Sequence, residues 1–264
     1  MQSFQVSRHE LKYLVTESQA SAVRSEIQAY LRPDANTGSG GNSYRVRSLY
    51  LDSRDSQCYN ETLCGTKNRF KLRMRFYDDA PTSPVFLEIK RRVTVIVQKK
   101  RAAVSRAAAL DLLRGQTASP AMLLKEGAAQ RDGLETFCRL RDRLAAVGKV
   151  FVDYQREAWE GATGNQYRVT FDRNVRGSIY VPGSGLTVPP QSALSGIQGV
   201  VLEMKYTNQP APWMNEIARR HNLQPVSVPK YVECVDVTLG AQHNQSPFGA
   251  LIGDSAHAFH QGGI

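Results

Sequence analysis

The run Lys71-Leu72-Arg73-Met74-Arg75-Phe76-Tyr77 sets three cations two residues apart with apolar side chains between them. Successive side chains of a β-strand point to opposite faces, so this spacing makes one cationic face and one apolar face. The segment 85–92, VFLEIKRR, repeats the arrangement, with Glu88, Lys90 and Arg92 on one side and Val85, Leu87 and Ile89 on the other. Arg45 with Arg47, Lys99 with Arg101, and Arg168 extend the pattern to further segments. A single strand of this kind shows its polar face to water. Several side by side bring like charges opposite one another, which is destabilising, and a multiply charged anion would relieve the repulsion.

A second regularity is Glu-x-Lys, which occurs as Glu10-Leu11-Lys12, Glu88-Ile89-Lys90 and Glu203-Met204-Lys205. In a strand the carboxylate and the ammonium then share a face. Two uses fit equally: ion pairing across strands, or carboxylates that hold Mg²⁺ or Mn²⁺ beside cations that grip phosphate oxygens. Glu10, Glu88 and Glu203 are accordingly the candidate metal ligands. His9, on the face opposite Glu10, and His221, on a helix, are expected to be structural. Nothing in the sequence pairs a nucleophile with a neighbouring base. Neither GxGxxG nor GxxxxGK[ST] occurs, which excludes the glycine-rich phosphate cradles of the Rossmann and P-loop folds. Cys58, Cys64, Cys138 and Cys234 form no CxxC and have no His at zinc-finger spacing, so reduced, mostly buried thiols are expected.

The elements that must position these residues are mostly strands. Period-2 patterning predicts them at 4–14, 43–52, 68–78, 84–101, 150–160, 166–173, 176–181 and 199–206, with a short one near 232–238. Thr16 and Gln19 form a capping box ahead of Ala20, Val23, Ile27 and Leu31, which share one helical face. Asp132 with Glu135 predicts a second helix closed at Gly148, 211–222 a third, and 105–126 two short helices broken at Gly115 and Pro120. Residues 34–43 and 182–196 read as loops. Strands that run consecutively, with helices interspersed, indicate an α+β fold with an antiparallel sheet.

One domain over 1–240 with a flexible tail over 241–264 is the expected organisation. The net charge of +10 and pI of about 9.6 attract anions. The cations recur singly within strands and only 8% of residues are aromatic, which disfavours a nucleic-acid arm or a base-stacking platform. The segment MQSFQVSRHELKYLV has no apolar stretch behind a basic start, and no run of about 18 apolar residues occurs, so a cytoplasmic protein is expected, one that could reach a membrane only through a partner.

The ordered set RHELKY, YRVRSLYLDS with Tyr59 following, KLRMRFY, VFLEIKRR, QKKRAAV, YQREAW, YRVTFDRNV, VVLEMKY and VPKYVECV resembles the VTC domain of polyphosphate polymerases over about residues 5–237. Each motif alone is weak; their order is specific. The resemblance implies a triphosphate tunnel metalloenzyme, in which an eight-stranded antiparallel β-barrel carries inward basic residues for a triphosphate and acidic ones for a divalent metal. Transferred by motif, Lys12, Arg73, Arg75, Lys90, Arg156, Arg168 and Lys230 fall on substrate-binding and catalytic positions, Lys99 on a further binding position, and Glu203 on the metal position. Arg8 stands where related tunnel phosphatases carry a first glutamate. The implied activity is metal-dependent transfer of the ATP terminal phosphoryl group to polyphosphate; the alternatives are hydrolysis of a triphosphate and polyphosphate binding without catalysis.

Overall fold

The computed structural model describes residues 8–37, 43–94, 96–161 and 164–240. The predicted tail 241–264, the first residues of the strand predicted from residue 4, and part of the 34–43 loop lie outside them. The elements in chain order are β1 (Arg8–Val15), α1 (Glu17–Ile27), β2 (Arg32–Pro33), β3 (Tyr44–Asp52), α2 (Gln57–Leu63), β4 (Arg69–Phe76), β5 (Val85–Val93), β6 (Ile96–Val104), α3 (Arg106–Leu113), α4 (Ala128–Leu144), β7 (Val147–Gly161), β8 (Gly164–Ile179), β9 (Ala193–Leu194), β10 (Val200–Thr207), α5 (Pro212–Arg220) and α6 (Lys230–Leu239). Eight strands pair in the order β1-β10-β8-β7-β3-β4-β5-β6, with the short β2 on β7 and β9 on β8. The α+β class and the eight-stranded antiparallel sheet expected from the sequence are both present. Among the described residues no helix is long and apolar enough to cross a membrane.

The chain forms two compact units that interleave along the sequence. The first comprises residues up to Tyr44, Gln155–Val175 and Leu194 onward. Its core joins Tyr13 and Val15 of β1, Val169 and Phe171 of β8, and Leu202 and Met204 of β10 to Ala20, Val23 and Ile27 of α1 and Met214 and Ile217 of α5. The capping box forms as its residue types require: Thr16 Oγ1 accepts from the Gln19 backbone at 3.2 Å, and Gln19 Oε1 accepts from the Thr16 backbone at 3.0 Å. The second unit comprises Arg45–Tyr154 and Arg176–Ala193. Its core is built from Leu72, Met74 and Phe76 of β4, Leu87 and Ile89 of β5, and Leu134 and Phe137 of α4. Every apolar position of KLRMRF is sealed there, as the alternation demands.

Four elements differ from the sequence reading. The run 84–101 is two strands: β5 turns after Val93 and β6 returns antiparallel, with Val93 facing Ile96 and Thr94 at φ +53°. No Gly or Asn marks that turn, and a β-branched residue rarely takes positive φ. The two runs 166–173 and 176–181 are one strand, β8, with Asn174 at φ +52° inside it. The predicted strand 232–238 is helix α6, in which Tyr231, Val232, Glu233, Cys234 and Val235 are all buried, so that tertiary packing overrides the β-propensity of its valines. Helix α4 begins at Ala128, not Asp132, and ends at Ala145 in the left-handed region with φ +46°, so Gly148 falls in β7, where a Cβ would lie 2.5 Å from the Tyr180 ring.

The short helix α2 was not anticipated. The Asp52 carboxylate accepts the backbone N–H groups of Cys58 at 2.8 Å and Tyr59 at 3.0 Å, and Ser53 Oγ accepts that of Gln57 at 2.9 Å. These acceptors satisfy the first-turn donors that seven residues could not satisfy alone.

Candidate functional site

Each unit carries a cluster of charged residues on the strand face opposite its apolar core, and the two are described in turn.

In the first unit, antiparallel register sets the Glu-x-Lys of β1 against that of β10, with Lys12 opposite Glu203 and Glu10 opposite Lys205. Each motif is thus complementary to the other. Lys12 Nζ lies 3.4 Å from Glu10 and 3.7 Å from Glu203, and it donates to the Val228 carbonyl at 3.3 Å. Lys205 Nζ donates to Glu203 at 2.5 Å. From β8, Asp172 enters the same cluster; Arg156 of β7 grips it with two hydrogen bonds of 2.6 and 2.7 Å. Lys230, the first residue of α6, bridges Asp172 at 2.6 Å and Glu203 at 3.0 Å. The Asp172 side chain has no exposed surface and that of Glu203 only 6%.

Burial alone would raise the pKa of both acids. For Asp172 the positive charges of Arg156 and Lys230 outweigh it, and for Glu203 those of Lys205, Lys230, Lys12 and Arg156 do, so both carboxyls titrate below their ordinary values. Burial draws the Lys205 ammonium down, only partly offset by Glu203. Four cations thus stand against the three carboxylates of Glu10, Asp172 and Glu203.

Arg168, opposite Lys205 in the β8–β10 register, has acidic partners of its own. It pairs with Asp34 at 2.5 Å and Glu160 at 2.9 Å. Asp34 belongs to the segment read as a flexible loop, yet it is 4% exposed. It also accepts from Thr37 Oγ1 at 2.7 Å and Tyr44 Oη at 3.1 Å. Burial works to raise its pKa, but the Thr37 hydrogen bond and the charge of Arg168 hold it below the usual value.

In the second unit, Glu88 of β5 lies opposite Arg73 on β4 and Arg101 on β6. Its carboxylate accepts from Arg73 Nε at 2.7 Å, with Arg101 Nε at 3.5 Å and Arg75 Nε at 3.8 Å. Tyr50 Oη accepts from Arg73 at 3.0 Å, and Ser48 Oγ and Tyr154 Oη accept from Arg75 at 3.2 and 3.3 Å. Arg101 lies 3.6 Å over the Phe86 ring. Burial pushes the Glu88 pKa up, but Arg75, Arg73 and Arg101 drive it far below the ordinary range. Two residues further along, register aligns Lys71, Lys90 and Lys99 across three adjacent strands. Register thus places three guanidiniums around Glu88 and three ammonium groups in the row beside it.

The structure therefore groups Glu10, Lys12, Arg156, Glu203 and Lys230 in one cluster and Glu88, Arg73 and Arg75 in the other, with Lys90 and Lys99 in the adjacent row. Sequence reasoning missed Asp172 and Asp34, and it marked Lys205 and Arg101 in the charge patterns without placing them among the site residues. Asp172 was open to it, since it shares a strand face with Arg168 and Thr170 at period 2; Asp34 was hidden in a glycine-rich segment. His9 stacks on Tyr206 at 5.1 Å, and His221 pairs with Glu26 at 2.8 Å, both structural arrangements. All four cysteines are free; Cys64 is exposed and the others are buried.

The donor chemistry fits a divalent ion only in a limited sense. Among the described residues no three His, Cys, Asp or Glu side chains converge on a metal position. Glu10 and Glu203, which share Lys12, supply two carboxylates, as suits Mg²⁺ or Mn²⁺ that takes its remaining ligands from water and phosphate oxygens.

The family model of the VTC domain matches residues 7–239. No curated protein sequence matches the chain. Among solved structures, a Bacillus halodurans protein described as a candidate adenylate cyclase is similar with a TM-score of 0.44 and 13% identity, over 84% of this chain and 95% of that one. A Pyrococcus horikoshii protein matches with a TM-score of 0.42 and 12% identity, over 86% and 96% of the two chains. A Vibrio parahaemolyticus protein, also described as a candidate adenylate cyclase, gives 0.42 and 9%, over 86% and 97%. Likenesses this distant say nothing of ligand or activity.

Proposed function

The chain belongs to the VTC domain family, and on that premise we propose that it binds triphosphate or longer polyphosphate and, with Mg²⁺ or Mn²⁺, transfers the terminal phosphoryl group of ATP to polyphosphate. The observation that carries this reading is the convergence of cations, from the strands and from the start of α6, around buried carboxylates. Lys12, Arg156, Arg168 and Lys230 in the first unit, and Arg73, Arg75, Lys90 and Lys99 in the second, bind phosphate oxygens. Guanidiniums fixed at Nε by a carboxylate keep their remaining N–H groups oriented, which lowers the cost of ordering them around a ligand.

Phosphoryl transfer asks a protein mainly for positioning and for charge stabilisation on the transferring group. Arg73, Arg75 and Arg156 supply guanidinium charge; Lys12, Lys90 and Lys230 add ammonium groups. Glu203 with Glu10 would hold the metal, which when bound neutralises phosphate charge. Glu88, engaged by three guanidiniums, is better suited to organising them than to binding an ion, although it remains a candidate ligand.

Hydrolysis is the weaker alternative. Arg8 stands where related tunnel phosphatases carry a first glutamate, and fewer carboxylates for a metal suit a hydrolase less well. A binding module without catalysis uses the same cations. Supplying ATP, Mn²⁺ and a short polyphosphate primer, then following chain length and free phosphate, separates the three. Chain growth supports the transferase, free phosphate without growth the hydrolase, and saturable binding with neither product the module.

A further inference from the structure

On the helix-covered side of the second unit, the apolar alternation of β5 breaks at its end. Val85, Leu87 and Ile89 are buried under the helices, but the next position on that face is Arg91, which is exposed. Around it lie two cavities of ≈ 170 and ≈ 200 Å³ that share Arg91, Leu140 and Arg143; the first also reaches Arg69 and the second Arg139 and Lys100.

These cations differ from those of the strand-face clusters in one respect. There, the guanidiniums are paired with carboxylates; here, among the described residues, no carboxylate pairs with Arg69, Arg91, Arg139 or Arg143. Arg143 lies 5.6 Å over the Phe70 ring, and Arg139 reaches only the Thr136 hydroxyl at 3.4 Å. Arg69 is a cation under stress: burial and then the charge of Arg92 lower its pKa. Lys100 has a partner in Asp132 at 2.8 Å, and Glu61 is the acid in the first cavity.

We propose that this groove between α4 and the β4–β5 end of the sheet is a second polyanion site, which engages long-chain polyphosphate outside the strand-face cluster. The proposal rests on the phosphate-binding reading above for its ligand class. Several guanidiniums with no carboxylate at ion-pair distance among the described residues, converging on a concave surface, match an anion with many oxygens along one chain. Base stacking is disfavoured, since Phe70 is buried and covered by Arg143, which leaves no aromatic platform. The exposed groove holds a short anion weakly. A chain already anchored elsewhere on the same molecule returns to it at high effective concentration, so the effect grows with chain length.

The test measures equilibrium binding of long-chain polyphosphate and of tripolyphosphate, at several salt concentrations, to the full chain and to Arg91→Gln/Arg143→Gln. The expected result is a loss of about 10-fold or more in long-chain affinity, with a flatter salt dependence and unchanged tripolyphosphate affinity. Arg91→Gln alone, at an exposed position, should show a smaller loss of the same kind if the double variant does not fold. Unchanged long-chain affinity overturns the proposal, as does an equal loss for tripolyphosphate. Duplex DNA that displaces the long chain at matched charge also overturns it, since the groove would then be a general nucleic-acid surface. Failure of the wild type to bind tripolyphosphate is a separate result that counts against the strand-face site instead.

Discussion

Glu88, Asp172 and Glu203 are carboxylates whose value lies in what they hold. Asp172 is the clearest case, because its fully buried side chain meets both Arg156 and Lys230. Asp172→Asn keeps the shape and leaves two cations short of their partner, so a loss of roughly 3–5 kcal/mol in unfolding free energy is expected by denaturant titration. Saturating tripolyphosphate should recover part of that loss, since it supplies the missing negative charge. The same three acids set a pH dependence. Their folded pKa values lie below the unfolded ones, near 4. The stability they give is therefore complete above that range and declines as pH falls through the folded values. Denaturation midpoints should hold steady from neutral pH to about 5 and drop below about 4; a midpoint that rises on acidification would contradict the assignment. The cations were legible as cations, because period 2 exposes them as a face. Of their acidic partners, Asp172 was open to the same period-2 reading, whereas Asp34 was not, since it meets Arg168 only through a contact 134 residues apart in sequence.

At the level of elements, alternation was a reliable guide where one face is sealed, as in β4 and in β5 as far as Ile89, whose inner residues are buried. It failed where a turn lacks its usual residues, at Thr94, and where a valine-rich segment docks as a helix, at α6. That second error matters, because α6 places Lys230 at its first turn against Asp172 and Glu203. Helix α4 carries its own constraint at Gly133, where an added Cβ would lie 2.8 Å from the Arg101 carbonyl oxygen of β6. A backbone atom cannot move aside cheaply, so Gly133→Ala should push α4 off the strand and cost about 1–3 kcal/mol, read as a lowered denaturation midpoint. Arg101 is also the residue that reaches Glu88, so the same variant should weaken triphosphate binding in a protein that remains folded.

For the whole molecule, a net charge of +10 ensures that any polyanion is attracted to some degree, and that attraction is screened by salt. The specific claim is that fixed cations on the strands recognise a phosphate chain. The family membership was legible from the order of nine weak motifs. The most direct test is the thermal shift given by tripolyphosphate and by orthophosphate at matched ionic strength, on the wild type, on Arg73→Ala/Arg75→Ala and on Arg219→Ala as a helix-surface control. Tripolyphosphate should raise the melting temperature of the wild type and of the control well above the orthophosphate value and lose most of that effect in the double variant, whereas equal shifts with both anions, or an undiminished shift in the double variant, would contradict the account.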